Sequence, residues 1–97
     1  VSFSIGSNIN DRAAHLEQAI SSAGKSIGVV KARSSFYETS SWGFDSAPFL
    51  NAVIVLQTDL SPIACLRAGL NIEIEMGRKR KAGGYSDRVI DLDILTY

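Results

Sequence analysis

Phe49-Leu50-Asn51-Ala52-Val53-Ile54-Val55-Leu56-Gln57-Thr58 is the stretch that decides the fold. Leu50, Ala52, Ile54 and Leu56 recur at every second position, and residues two apart in an extended chain share a face. They form one face of a strand, and Phe49, Asn51, Val53 and Val55 form the other. Residues 40–48 ahead of it read as a loop, punctuated by Gly43 and Pro48 and carrying Trp42 and Phe44. Before that loop, residues 27–39 read as one strand, with Gly28 marking a bulge or a late start.

Further toward the N-terminus, Asn10 or Asp11 can cap a helix whose apolar stripe is Ala13, Leu16, Ile20 and Ala23. Gly24 is placed to end it. Val1, Phe3 and Ile5 alternate with Ser2 and Ser4 as a half-buried strand, which Gly6-Ser7-Asn8 breaks. On the C-terminal side, Ser61 caps a second helix with Pro62 at its first position. Ile63, Leu66 and Leu70 supply its expected core stripe, and Gly77 ends it. Residues 78–88 form a basic, glycine-containing loop, and residues 89–95 the last strand.

The order is β-α-β-β-α-β. With right-handed crossovers, both helices cover one face of a four-stranded antiparallel sheet. This is an α+β, ferredoxin-like fold spanning 1–97 as one domain. The other sheet face stays open for chemistry.

Composition agrees. Hydrophobic residues make up 45% and charged residues 21% of the 97 positions, which supports a packed core. Ten Lys+Arg balance ten Asp+Glu, which argues against a dedicated nucleic-acid binder. No apolar run approaches the ~20 residues that cross a bilayer. A single cysteine, Cys65, fits a reducing, cytoplasmic setting and reads as helix packing. His15 has no nucleophile or metal partner nearby in sequence. Both ends fall inside strand-like sequence and read as cut ends.

Asp91-Leu92-Asp93 is the sharpest chemical signal. Ile90, Leu92 and Ile94 take the core face, so the two carboxylates sit side by side on the open face, about 6.6 Å apart along the strand. Such a pair suits Mg²⁺, which takes one or two carboxylates plus substrate phosphates. A solvated strand face paired to Arg88 is the competing reading. Arg78-Lys79-Arg80-Lys81 followed by Gly83-Gly84-Tyr85 reads either as a phosphate-engaging flap or as a solvated charge run. Phe49 and Asn51 offer a ring to stack on a flat heterocycle and an amide to read its edge. The alternative is that they, with Trp42 and Phe44, simply cover the sheet. Glu73 lies near the edge of the second helix's stripe, where a carboxylate needs a cation or polar partner. No G-x-x-x-x-G-K-[ST] or G-x-G-x-x-G motif is present.

Ile5-Gly6-Ser7-Asn8, residues 35–39 (Ser-Phe-Tyr-Glu-Thr), Phe49-Leu50-Asn51-Ala52, Ile72-Glu73, Gly77-Arg78-Lys79-Arg80 and residues 88–95 (Arg-Val-Ile-Asp-Leu-Asp-Ile-Leu) strongly resemble, in this order, the 6-hydroxymethyl-7,8-dihydropterin pyrophosphokinases. These folate-pathway enzymes move the diphosphate of ATP onto a pterin hydroxymethyl group. The resemblance implies that Asp91 and Asp93 bind two Mg²⁺ ions, and that Arg78 and Arg80 engage phosphates and assist transfer. It implies nucleotide contacts from Glu73, Arg80 and Arg88. The pterin site it implies comprises Thr39, Ser40, Trp42, Phe49, Asn51 and Tyr85. It further implies a cytoplasmic, monomeric enzyme whose partners are small molecules, without nucleic acid or membrane.

There are departures. Leu70 stands where many relatives have Gln, and Ser40-Ser41 replaces a Pro-containing stretch. The family's later segment, with its P-H-P-like and Arg-x-Phe motifs, has no counterpart here, so a C-terminally truncated core is expected. A non-catalytic pterin-binding module on the same fold is the alternative. An RNA-binding sheet shares the element order, but residues 49–55 lack the stacking-aromatic pattern such sheets carry.

Overall fold

The computed structural model describes residues 1–40, 47–78 and 89–97. Within them the elements are β1 (Ser2–Ser7), α1 (Arg12–Ser26), β2 (Val29–Arg33), β3 (Tyr37–Thr39), β4 (Phe49–Gln57), α2 (Pro62–Arg78) and β5 (Asp91–Thr96). The sheet is antiparallel in the order β2-β4-β1-β5, and β3 continues along the β2 edge of β4. The α+β, ferredoxin-like arrangement expected from the sequence is therefore present.

Register fixes the faces. Phe3 lies opposite Ile54 and Ile94, and Ile5 lies opposite Ala52 and Leu92. Phe3, Ile5, Ala52, Ile54, Leu56 and Leu92 are buried beneath α1 and α2. By alternation, Ser2, Ser4, Gly6, Asn51, Val53, Asp91 and Asp93 belong to the opposite face.

Helix α1 starts at the Asp11 cap, whose Oδ1 accepts from the Ala14 N–H at 3.2 Å. Asn10 just ahead takes φ 52°, a left-handed conformation that Asn tolerates well. The buried stripe is Leu16, Ala19, Ile20 and Ala23; Ala13, expected in it, is exposed. Gly24 does not end the helix. The chain stays helical to Ser26, because the Ile27 N–H still reaches the Ala23 carbonyl at 2.9 Å and Ile27 itself is buried.

The expected single strand over 27–39 is two strands. Lys31 is one extra residue between the Val30–Leu56 and Ala32–Val55 pairs. A second extra residue falls within 34–36, between Arg33–Ile54 and Tyr37–Asn51. There Ser34 replaces regular pairing: its N–H donates to the Val53 carbonyl at 2.8 Å, and its Oγ accepts from the Val53 N–H at 2.9 Å. Bulges of this kind twist and interrupt an edge strand. The Arg33 guanidinium binds both Glu17 oxygens, at 2.8 and 3.1 Å, and lies 5.4 Å from the Phe36 ring centre. Those hydrogen bonds hold the Glu17 carboxyl below its ordinary range and push Arg33 upward.

Helix α2 corrects a larger expectation. Ser61 does cap it, its Oγ accepting from the Ala64 N–H at 3.1 Å. However, Ile63, Leu66 and Leu70 do not form its core stripe. They are 63%, 49% and 47% exposed, and with Ile74 they form an outward apolar row. Cys65, Gly69, Ile72 and Met76 are buried instead, with Ala68 partly so. Small side chains bring the helix close to the sheet, and a Cβ on Gly69 would lie 3.2 Å from the Phe3 ring. The helix passes Gly77 and ends on Arg78.

This assignment is testable by denaturation. Ile72→Ala is expected to cost about 2–5 kcal/mol. Leu70→Gln is expected to stay within about 0.5 kcal/mol of the parent. Equal losses would reverse the faces. Among the described residues, no helix is long and apolar enough to cross a membrane.

Candidate active site

Three adjacent strands bring the site together. Gly6 of β1 lies opposite Asn51 of β4 on one side and Asp91 of β5 on the other. Ser4 lies opposite Val53 and Asp93. Asn51 and Asp91 therefore stand two strand spacings apart, about 9.5 Å, across the same open face. Asp91 is half-buried and Asp93 exposed. Sequence positions 51 and 91 become neighbours only because β1 is inserted between their strands.

Gly6 is inside β1, not a breaker after it. A Cβ there would sit 2.8 Å from Asn51 Oδ1 and 3.4 Å from the Phe49 ring. The missing side chain clears the floor beside the amide and the ring. In the sequence this glycine reads as turn punctuation, and only the cross-strand register reveals its role.

Asn51 is held in one orientation. Its Nδ2 donates to Thr39 Oγ1 at 2.9 Å and to the Tyr37 carbonyl at 3.2 Å. With the donor end directed to β3, the acceptor Oδ1 lies over Gly6, the orientation suited to reading an N–H donor on a flat ligand. Thr39, expected to touch ligand directly, is seen as the partner that orients Asn51. Phe49 pairs with Thr39, and Ser40 follows it on the exposed surface.

Asn8 and Arg12, which sequence reading did not single out as site residues, brace the entry to β4. Asn8 Nδ2 donates to the Ala47 carbonyl at 3.2 Å, and Arg12 Nη1 to the Pro48 carbonyl at 2.9 Å. Arg12 also pairs with Glu38 of β3 at 3.0 Å. Ser7 Oγ lies 3.2 Å from His15 Nδ1, which gives that histidine a local structural partner.

Glu73 stands on α2 with its Oε2 accepting from the backbone N–H of Leu92 at 2.6 Å. It touches the strand between the two aspartates. Arg78 is the last residue of α2. Trp42, Phe44, Arg80, Tyr85 and Arg88 lie outside the described residues.

The Asp91–Asp93 pair fits a hard cation. Both ligand atoms are carboxylate oxygens on adjacent same-face positions, and Mg²⁺ keeps places for phosphate and water. Among the described residues, no group of three or more His, Cys, Asp or Glu side chains gathers as a metal cage.

Comparison with known proteins agrees with this geometry. Residues 2–97 match the family described as 7,8-dihydro-6-hydroxymethylpterin-pyrophosphokinase. A 2-amino-4-hydroxy-6-hydroxymethyldihydropteridine pyrophosphokinase of Porphyromonas gingivalis is 44% identical over 100 residues, covering 100% of this chain and 68% of its own length. The protein of the same name in Bacillus subtilis is 39% identical over 95 residues, covering 96% of this chain and 56% of its own length. The folic acid synthesis protein fol1 of Schizosaccharomyces pombe is 43% identical over 96 residues, which are 13% of its length. The chain thus corresponds to roughly 56–68% of the bacterial proteins. Given a match across nearly every residue and a shared sheet face carrying the matched motifs, the chain belongs to the 7,8-dihydro-6-hydroxymethylpterin-pyrophosphokinase family.

Proposed function

We propose that this chain transfers the β,γ-diphosphate of ATP to the hydroxyl of 6-hydroxymethyl-7,8-dihydropterin in a Mg²⁺-dependent step of folate synthesis. The observation that carries the reading is the row Asn51–Gly6–Asp91, which sets an amide reader beside a carboxylate pair on one open sheet face. The pterin hydroxyl oxygen forms a bond to the β-phosphorus. The bond from that phosphorus to the α,β-bridging oxygen breaks, AMP leaves, and the hydroxyl proton is lost.

Asn51, oriented by Thr39, and Phe49 hold the pterin ring over Gly6. Ser40, Trp42 and Tyr85 complete the pterin site by their match to the family motif. Asp91 and Asp93 would hold two Mg²⁺ ions, whose charge would offset that of the phosphates. Arg78, Arg80 and Arg88 engage the phosphates, and Glu73 lies on the nucleotide side. The reaction takes place in the cytoplasm, in a single copy of the chain, without nucleic acid or membrane.

A second reading is a pterin-binding module without turnover, which the Asn51 amide fixed by Thr39 beside Phe49 would serve without the carboxylate pair. A coupled assay for AMP separates the two. The enzyme reading expects AMP release that requires Mg²⁺, ATP and the hydroxymethyl-dihydropterin together. Calorimetric pterin binding with no AMP release selects the binding module.

A further inference from the structure

We infer that Glu73 is a positioning residue for the Asp91–Asp93 pair and acts through the backbone of Leu92. The inference rests on the proposed reading of the two aspartates as magnesium ligands. Among the described residues, β5 is the outer strand of the sheet, paired on one side only, to β1. Successive residues of an antiparallel strand direct their N–H groups alternately toward and away from the partner. The Leu92 N–H points away from β1, toward α2, and donates to Glu73 Oε2 at 2.6 Å.

Leu92 is only 6% exposed, so this donor lies where water cannot readily replace the carboxylate. A charged acceptor makes the bond short and strong. Glu73 follows Ile72, which is buried against the same core. A rigid helix therefore clamps the sheet's outer strand at the one residue between the two carboxylates. β5 also has a register shift at its far end, between the Ser2–Thr96 and Phe3–Ile94 pairs. Pairing with β1 is regular across Asp91–Asp93, and the Glu73 bond adds a tie from that end to α2. Without it, the Leu92 N–H on the outer edge of β5 would lose this carboxylate acceptor, and that edge would lose this tie to α2. Partners that orient metal ligands are typically worth 10–100-fold in affinity or activity.

Two measurements on Glu73→Ala and Glu73→Gln test this. Amide hydrogen exchange reads the clamp directly and needs neither metal nor substrate. In Glu73→Ala, Leu92 should exchange about tenfold faster or more, while Ile54 in β4 keeps its protection. Glu73→Gln, whose amide oxygen can still accept, should recover much of the Leu92 protection. Steady-state kinetics then read the consequence. The Mg²⁺ concentration for half-maximal rate should rise about tenfold or more in Glu73→Ala, with KM for ATP nearly unchanged, and Glu73→Gln should lie between. Unchanged Leu92 exchange in Glu73→Ala overturns the inference. So does a raised KM for ATP with an unaltered Mg²⁺ requirement, which would make Glu73 a direct nucleotide contact. Retention of full turnover by Asp91→Asn and Asp93→Asn would instead refute the metal reading itself, leaving the exchange result to judge the clamp.

Discussion

Asp91→Asn and Asp93→Asn are each expected to slow AMP release by about 10²- to 10³-fold, the usual consequence of removing one charge-stabilising group from a transferring centre. Asparagine keeps the shape and one oxygen of the side chain but removes the negative charge. The effect therefore isolates the electrostatic part of cation binding. For Asp93 the fold should be indifferent, because an exposed side chain away from core and caps shifts stability by only about 0.5 kcal/mol. Asp91 is half-buried and takes part in further interactions, so its denaturation curve must be measured alongside. The assay is AMP release across a Mg²⁺ titration. The metal assignment predicts that high Mg²⁺ partly restores the rate in at least one variant. A variant that works at the parental rate and the parental Mg²⁺ requirement removes that aspartate from the site.

Gly28→Ala is expected to cost stability on the order of 3 kcal/mol or more. A Cβ at this position would lie 2.1 Å from the Gln57 carbonyl oxygen, 2.9 Å from its carbon and 3.0 Å from the Thr58 Cα. All three are backbone atoms, and none can rotate aside as a side chain tip would. Relief requires the start of β2 to move off the end of β4, weakening the Val29–Gln57 pair and the hydrogen bond from Thr58 Oγ1 to the Ile27 carbonyl. For a domain of this size the midpoint of thermal unfolding should fall by roughly 12 °C or more. The substitution lies at the end of the sheet opposite Asn51 and Asp91, so the folded fraction should keep the parental KM values. A loss of less than about 1 kcal/mol would contradict the close approach.

The parts of the fold that could be read from sequence were those with one strong pattern. In residues 49–58 only the two-residue period fits, and β4 buries Ala52, Ile54 and Leu56 as that period requires. Ile90-Asp91-Leu92-Asp93-Ile94 allows only one phase, and Leu92 is buried while Asp93 is exposed. Helix α2 failed because it carries two apolar rows, each at helical spacing. Side-chain size then favoured the wrong one, since Ile63, Leu66 and Leu70 are bulkier than Cys65, Ala68 and Gly69. What decides the buried face is fit against the Phe3 ring, which only the smaller row permits. The bulges at Lys31 and within 34–36 were likewise hidden, because an exposed edge strand imposes no period on its sequence.

For the site, the residue types were legible and their assembly was not. Asn51 and Asp91 could each be placed on an open face from local alternation alone. That they share one row with Gly6 depends on pairings across 45 and 85 positions of sequence. Gly6, Gly24 and Gly77 all read as punctuation, yet each continues its element. At Gly6 the reason is the neighbouring Asn51 amide, and no one-dimensional pattern contains that distance.

The central place of β1 bears on how the protein is made. Its two neighbours are β4 and β5, with Ser2 finally meeting Thr96 through hydroxyls 2.7 Å apart. During synthesis, β1 can pair with β4 once residue 57 has emerged, but its other edge stays bare until residues 91–96 leave the ribosome. An unpaired edge is a template for wrong partners, and pairings this distant in sequence form slowly. The nascent chain therefore carries an open strand edge, and no carboxylate platform, until residues 91–96 have emerged.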